Sequence, residues 1–422
     1  LSLHDALPIC DWNKVNNMSI IYNGYVRMAY LAIVGGHSVN GVAKLHTELL
    51  KHQELSNFYE FFPEKFNNQT NGITHRRWLL NSNVELAELI TETIGEGWIK
   101  TPNNLSKLMD YAKDAAFQEK THSIKTNNKI KFSNHVLSAY GITIDPSSIF
   151  DVHVKRMHSY KRQTLNVLHI MFLYNQILEN PSIDMIPRTF IFGAKASPSY
   201  YIAKQTIKLI NTLASKINND PIVRGKIKIL FLENYGVSLA EKIIPCADVS
   251  EQISTASKEA SGTGNMKFMM NGAITIATLD GANVEIFDAV GKENIILFGL
   301  TAKEVIEYNK NKTYNSYYIY NNDQRLNTIL NQLVNGFLEA PKTEFAGLYE
   351  SLLTHNDEYF VLKDFDSYVN AHSKIDRLYR QKSLWQQMSI INISKSGIFS
   401  SDNTIKKYAQ EIWNTPPVSI KL

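Results

Sequence analysis

Ile149-Phe-Asp-Val-His-Val154 runs directly into Lys155-Arg-Met-His-Ser-Tyr-Lys-Arg162 and then into the apolar stretch 163–179. Six residues rich in Ile, Val and Phe read as a buried strand, the basic octapeptide as a turn and 163–179 as a helix. The alternation repeats downstream. Thr189–Phe192, Lys226–Leu232, Ile274–Leu279 and Ile295–Phe298 are candidate strands, with helical stretches at 200–217 and 237–244 between them. Such strands, separated by helices and bounded by Gly, Asn and Pro, predict an α/β fold with a doubly wound parallel sheet. Ligands bind such sheets at the carboxyl ends of the strands, and the unusual residues of this chain follow strands directly.

Outward from that core the pattern is more helical. Residues 18–52 form an apolar block with a kink at Gly36-His-Ser-Val-Asn-Gly41. A helix is expected over 82–94, capped by Ser82 or Asn83, apolar along Val84, Ala87, Ile90 and Ile94, and ended by Gly95. A second is expected over 105–122, followed by a basic, polar turn region at 125–134. The Tyr/Asn-rich stretch 306–322 reads as an exposed connection. Helices follow at 323–335, 343–354 and 374–390, and a last one runs from Ser401–Asp402 to Trp413 before Pro416–Pro417. No internal repeat is present.

Composition excludes several classes. The 422 residues carry 44% apolar and 20% charged side chains, which suits a globular chain with sizeable cores. Two cysteines, Cys10 and Cys246, are too few for a disulfide scaffold or a Cys-rich zinc module. The formal net charge of +4 gives no reason to expect nucleic acid as a partner. No apolar run reaches the ~18 residues of a membrane span, and Ala29–Val34 stops at Gly35–Gly36. A soluble protein of a reducing compartment is expected. Leu1–Ile9 lacks the cationic and apolar regions of a signal peptide and reads as an artefactual leader, so the chain is expected to be a fragment.

Two segments carry the chemistry. In Glu259-Ala-Ser-Gly-Thr-Gly-Asn-Met-Lys267, the two glycines let backbone approach a ligand closely, yet the spacing fits neither the phosphate loop nor the dinucleotide fingerprint. The bland reading is a turn with a surface lysine. Against it, Phe268-Met-Met270 and the strand-like Ile274–Leu279 follow Lys267 at once, which predicts a partly buried amine. Such an amine has a lowered pKa and, when neutral, forms a Schiff base with an aldehyde. The second segment places Lys155, Arg156, Lys161 and Arg162 between a strand and a helix, where cations and helix-start N–H groups together bind more than one phosphate; the competing reading is a solvated basic turn. Thr70–Trp78 and Glu233-Asn-Tyr235 are weaker candidates. His37 and His158 read as structural histidines, and no cluster has metal-ligand spacing, so no metal is expected.

At these residues the chain resembles a known family, the α-1,4-glucan (glycogen, starch and maltodextrin) phosphorylases. EASGTGNMK with FMMNGAITIATLDGANVEI is similar to the family's cofactor-lysine signature, and FDVHVKRMHSYKRQTLN at 150–166 to its phosphate-binding stretch. GHSVNGVA, TNGITHRRWL, FLENYGVSLAEKIIP with SEQIST, and SGIFSSDNTIKKYAQEIW match in the family's order, from about residue 18 to 414. The resemblance implies a retaining, cytoplasmic glycosyltransferase of GT-B type, of which this chain is the C-terminal, Rossmann-like half. It implies pyridoxal 5′-phosphate as cofactor, α-1,4-glucan and inorganic phosphate as substrates, α-D-glucose 1-phosphate as product, allosteric control and a homodimer at full length. Lys267 would hold the cofactor. Lys155, Thr263 and Gly264 would face its phosphate, and Tyr235 and Trp78 would line its pocket. Arg156 and Lys161 would clamp the substrate phosphate, and Asn71, Tyr160, Glu259, Ala260, Ser261 and Gly262 would contact glucose.

The implied domains are a remnant of the family's first domain at 10–70, the cofactor domain at 71–400 and a closing helix and tail at 401–422. With most of the first domain missing, the isolated chain is expected to be a poor enzyme. Ala29–Val34 would be left as an apolar patch that lowers solubility, and the closing helix would lose a partner. His75, Ser159, Ser257, Ala194 and Ser199 depart from the family's usual Pro, Glu and Gly residues. Rival readings are a sugar-nucleotide glycosyltransferase of the same fold, such as a glycogen synthase, and a non-catalytic fragment that binds cofactor or glucan.

Overall fold

The computed structural model describes residues 11–418; the leader at 1–9, Cys10 and the last four residues of the tail lie outside them. Six parallel strands form the main sheet: β1 Ile149–Val154, β2 Arg188–Gly193, β3 Ile227–Leu232, β4 Val249–Gln252, β5 Ile274–Ala277 and β6 Ile296–Leu297. Their spatial order, β6-β5-β4-β1-β2-β3, reverses between β1 and β4. This is the order of a doubly wound sheet, and the reversal is its topological switch point. All six residues of β1 and of β2 are buried, because helices cover both faces. One face packs on Gln163–Glu179, Tyr201–Asn219 and Val361–Tyr379, the other on Ala115–Tyr140, Val237–Cys246 and Gly264–Met270.

The expected strands are present, and one more, β4, was not read from the sequence. Three of the four residues of Val249-Ser-Glu-Gln252 are polar, so its pattern hides a strand that is buried on both faces. The expected turn at 125–134 is instead the middle of a 26-residue helix, Ala115–Tyr140. Its buried face includes a lysine: Lys129 Nζ donates to Asp248 Oδ2 at 2.7 Å and to the Ser148 carbonyl at 2.7 Å. Pro102–Tyr111 forms 3-10 turns, so the expected 105–122 helix is divided at Ala112–Asp114. The stretch 306–322 belongs to two helices, Ala302–Asn311 and Ser316–Asn322, the first closed by a Thr301–Glu304 capping box. Arg380–Gln381 separates Val361–Tyr379 from Lys382–Lys395 inside the expected 374–390 helix. Helix 84–94 ends at Gly95 as expected, but the Asn83 side chain, instead of capping it, bonds Asn271 and Asn128.

No helix among the described residues is long and apolar enough to cross a membrane. Of Ala29–Val34 only Ile33 is buried, and Ile21, Tyr25, Val26, Met28 and Leu31 are exposed around it. The closing helix has partners within the chain, while its Ile405 and Trp413 stay exposed. Asp402 pairs with Arg76 at 2.6 Å, Thr404 Oγ1 bonds the Thr70 carbonyl, Tyr408 Oη accepts from Asn40 and Glu411 accepts from Gln69.

Beneath the sheet lies a buried polar knot of Asp151, Glu251, Arg188, His169, Tyr368 and His372. Arg188 Nη1 donates to Asp151 Oδ2 at 2.9 Å, and Tyr368 Oη to Glu251 Oε2 at 2.9 Å. Asp151 Oδ1 and Glu251 Oε1 make no well-aligned hydrogen bond, although His372 Nε2 lies 3.3 Å from Glu251 Oε1 and the two carboxyls lie against each other. Desolvation and the Asp151 charge raise Glu251 well above the usual glutamate range, so its carboxyl holds its proton to higher pH in the folded chain than in the unfolded one. The unfolded chain releases that proton above about pH 4 and the folded chain keeps it, so this site lowers stability as pH rises from there. Glu251→Gln, which keeps a hydrogen there at every pH, should remove that slope and leave stability at pH 7 equal or higher. Denaturant unfolding of both chains between pH 5 and 8 measures it; a variant less stable at every pH would show that Glu251 is ionised.

Candidate functional site

The switch point brings the two chemical segments together. Lys155 to Lys161 follow β1, and residues 253–263 follow β4, its neighbour. Lys161 Nζ makes an ion pair with Glu259 across the crevice and lies 4.7 Å from the Tyr160 ring centroid. The Tyr160 carbonyl accepts from Thr255 N at 2.9 Å, which ties the two loops by backbone as well. Burial opposes the Glu259 charge, yet Lys155, Lys161 and Arg156 hold its carboxyl below the usual glutamate range. Burial pushes the Lys155 amine down to about 8; Glu259 and Asp280 oppose the fall and Lys161 adds to it.

The four cations expected to act together divide into two groups. Arg162 is fully buried and belongs to the fold: it pairs with Asp364 at 2.6 Å and donates to the Ile253 and Ser254 carbonyls. Arg156 is exposed and has no ion-pair partner among the described residues. The segment is therefore no solvated turn, since Lys155 is half-buried and Lys161 buried. His158 sits between the Tyr160 and Tyr200 rings, a structural place. Ser159 bonds the Tyr200 hydroxyl at 2.6 Å.

Asp280 shapes the loop after β4. Its carboxylate accepts from Ser257 N at 2.9 Å, Glu259 N at 2.8 Å and Ser254 Oγ at 2.7 Å. Burial pushes its pKa up to about 6. Gly281 lets the next turn pass beneath, since a Cβ there would lie 2.7 Å from the Ser261 carbonyl and 2.9 Å from that of Glu259. Gly262, at φ +76°, turns the chain into the helix Gly264–Met270. Ser257 also has positive φ, +79°, which costs a residue with a Cβ local strain.

Lys267 lies in that helix, half-buried, with Nζ 4.3 Å from the Trp78 ring centroid. Burial lowers its pKa. Trp78 is held by a residue that sequence reading missed. Asn271 Nδ2 donates to the Trp78 carbonyl at 2.7 Å and the Lys267 carbonyl at 2.9 Å, while its Oδ1 accepts from Asn83 at 2.9 Å. One buried amide thus fixes the lysine against the indole. Asn271 and Asp280 stand within the family-like stretch after Lys267, but neither shows in sequence as more than a turn residue.

Tyr235 packs against Gly193, at the carboxyl end of β2, and against the hydrophobic cluster that contains Trp78; burial pushes its hydroxyl up to about 12. Thr263 N-caps the Lys267 helix and Gly264 begins it. Ala260 lines a cavity of about 310 Å³ with His46, Glu54 and Ile306. Asn71 is set apart from these residues. It lines a different cavity, of about 320 Å³, with Lys44, Thr70, Glu285 and Thr404, to which no residue of 259–262 contributes.

At the switch point the loop after β1 carries a partly buried cation cluster, and the helix that follows the β4 loop carries a half-buried lysine. The sequence places that arrangement in a family: residues 2–415 match the profile of the carbohydrate phosphorylases, and the chain belongs to that family. It is 55% identical over 408 residues to a glycogen phosphorylase of Bacillus subtilis, covering 97% of this chain and 51% of that protein. It is 47% identical to the glycogen phosphorylase of a Synechocystis strain and 46% identical to the human liver form, over 98% of this chain and 49% of each. The chain therefore spans about half the length of the curated relatives it matches.

Proposed function

We propose that the whole protein is an α-1,4-glucan phosphorylase and that this chain forms the wall of its active site that holds pyridoxal 5′-phosphate and the attacking phosphate. The reaction transfers a terminal glucose from an α-1,4-glucan to inorganic phosphate and yields α-D-glucose 1-phosphate with retention.

The observation that carries this reading is Lys267, an amine half out of water, over an indole, with burial as the cause of its lowered pKa. A lysine so placed is more often neutral than one in water, and a neutral amine captures an aldehyde. Its surroundings fit the cofactor, for Trp78 offers a flat apolar wall beside it, Tyr235 belongs to the same hydrophobic cluster as Trp78, and Lys155 is an amine kept short of full charge by burial. Pyridoxal phosphate supplies, when bound, a phosphate monoester whose second pKa of about 6 lets it give and accept a proton near neutrality.

The remaining steps fall to the chain's own residues. Two phosphates side by side carry roughly three to four negative charges and need cations around them. Lys155, with the N–H groups of Thr263 and Gly264, faces the cofactor phosphate; Arg156 and Lys161 hold the substrate phosphate. Lys161 reaches it by exchanging or sharing its Glu259 partner. Tyr160 and the loop Glu259, Ala260, Ser261 and Gly262 present polar groups to glucose; Asn71, which lines a separate cavity, is given a glucose contact by the family resemblance alone. The complete protein is cytoplasmic and a homodimer in this reading.

Incubation with pyridoxal phosphate, borohydride reduction and peptide mapping tests it. The label should fall on Lys267. A label on Lys258 or Lys292, or none, overturns the assignment of Lys267 and favours a fragment that binds without turnover.

A further inference from the structure

The loop 253–263 carries most of the residues assigned to glucose, yet it contains no helix or strand. Its shape is set from outside, by the turn that follows β5. Thr278 Oγ1 donates to the Ser254 carbonyl at 2.7 Å, and Ala282 N donates to the Ser261 carbonyl at 2.9 Å. Between these two ties stands Asp280, which is 1% exposed. Its Oδ1 accepts from Ser257 N, and its Oδ2 from Glu259 N and Ser254 Oγ, at 2.7–2.9 Å. Every hydrogen bond to this carboxylate thus comes from the one loop.

Two features of the loop depend on that grip. Ser257 has φ +79°, a conformation that costs a residue with a Cβ and persists only where its surroundings impose it. Its N–H is one of the two amides that Asp280 binds. The other is that of Glu259, whose Oε2 is held by Lys161, which leaves Oε1 to accept a sugar hydroxyl. Hydrogen bonds to an ionised acceptor are about twice as strong as neutral ones. A single buried carboxylate therefore holds the strained residue and fixes the backbone of Glu259 two positions on.

We propose that Asp280 is a positioning residue for glucose: by holding the Ser257 and Glu259 amides together, it sets the place from which the Glu259 carboxylate meets a sugar hydroxyl. The role rests on the function proposed above. Asp280 acts through the loop and itself touches no substrate.

Kinetics of a complete enzyme that contains this chain test the role, with D-glucose as the competing probe and rates referred to bound cofactor. Asp280→Asn keeps the size of the side chain but turns one acceptor into a donor, so Ser257 N or Glu259 N loses its partner. The inhibition constant of D-glucose should rise about tenfold. KM for phosphate should change by less than about threefold, because Arg156 stands on the loop after β1. Adding Ser257→Gly should recover at least part of the glucose affinity, since glycine adopts a positive φ without strain. Glycine returns no charge, so this rescue separates loop geometry from the influence of Asp280 on the Lys155 amine. No competition by D-glucose, an unchanged constant in Asp280→Asn, or a double variant no better than the single one overturns the role and leaves the proposed function standing. An unmodified enzyme that yields no glucose 1-phosphate from glucan overturns both. If Asp280→Asn does not fold, Gly281→Ala decides. Its Cβ would meet the Ser261 and Glu259 carbonyls at 2.7 and 2.9 Å and displace the same loop, so an unchanged glucose constant there also overturns the role.

Discussion

Lys267→Arg is expected to keep the charge and the fold of the helix Gly264–Met270 while losing covalent capture of pyridoxal phosphate; if the proposed function holds, phosphorolysis by a complete enzyme that contains this chain falls on the order of 10³-fold or more. The expectation rests on what surrounds the amine. It sits over the Trp78 ring, and its shift has burial as its cause with no carboxylate to stabilise the charge. A guanidinium placed there stays ionised and cannot attack an aldehyde. Absorbance of the reconstituted protein, before and after borohydride, reads the capture directly, and unfolding by denaturant checks that the helix survives. A variant that still took up reducible cofactor would place the reactive amine elsewhere.

The second large effect is expected in the basic segment, measured in an active enzyme that contains this chain. Arg156→Ala should damage phosphate use far more than cofactor retention, because the Arg156 side chain is exposed and has no ion-pair partner among the described residues. Lys155→Ala should weaken cofactor binding as well, because that amine is desolvated by burial. Loss of one such charged contact costs a few kcal/mol, on the order of 10²-fold in rate or affinity. Steady-state rates against phosphate concentration separate the first effect, and cofactor titration of the apo-protein the second. Equal and small losses in both variants would return the segment to a solvated turn. Arg162→Ala would not belong in this comparison, since its partner Asp364 is buried with it and the loss would be one of folding.

The sequence by itself determined the sheet and the two chemical segments. Period and composition locate β1, β2, β3, β5 and β6, because apolar runs bounded by turn residues have few other uses in a chain with helices between them. The burial of Lys267 followed from the apolar residues beside it, and its identity as a candidate from local spacing. These signals are all short-range.

What the tertiary structure decided is of another kind. The strand order, with its reversal between β1 and β4, is a matter of which segments pair, and β4 itself is polar enough to escape notice. Lys125 and Lys129 look like surface residues of a basic turn, yet each finds acceptors more than a hundred residues away and so lies in a helix that packs against the sheet. The four cations of 155–162 are alike in sequence; the fold buries Arg162 on Asp364, pairs Lys161 with Glu259 and leaves Arg156 to solvent. Asn271 binds Trp78 and Asn83, each more than 180 residues distant. Local preference is written along the chain, whereas desolvation and pairing depend on neighbours that only folding supplies.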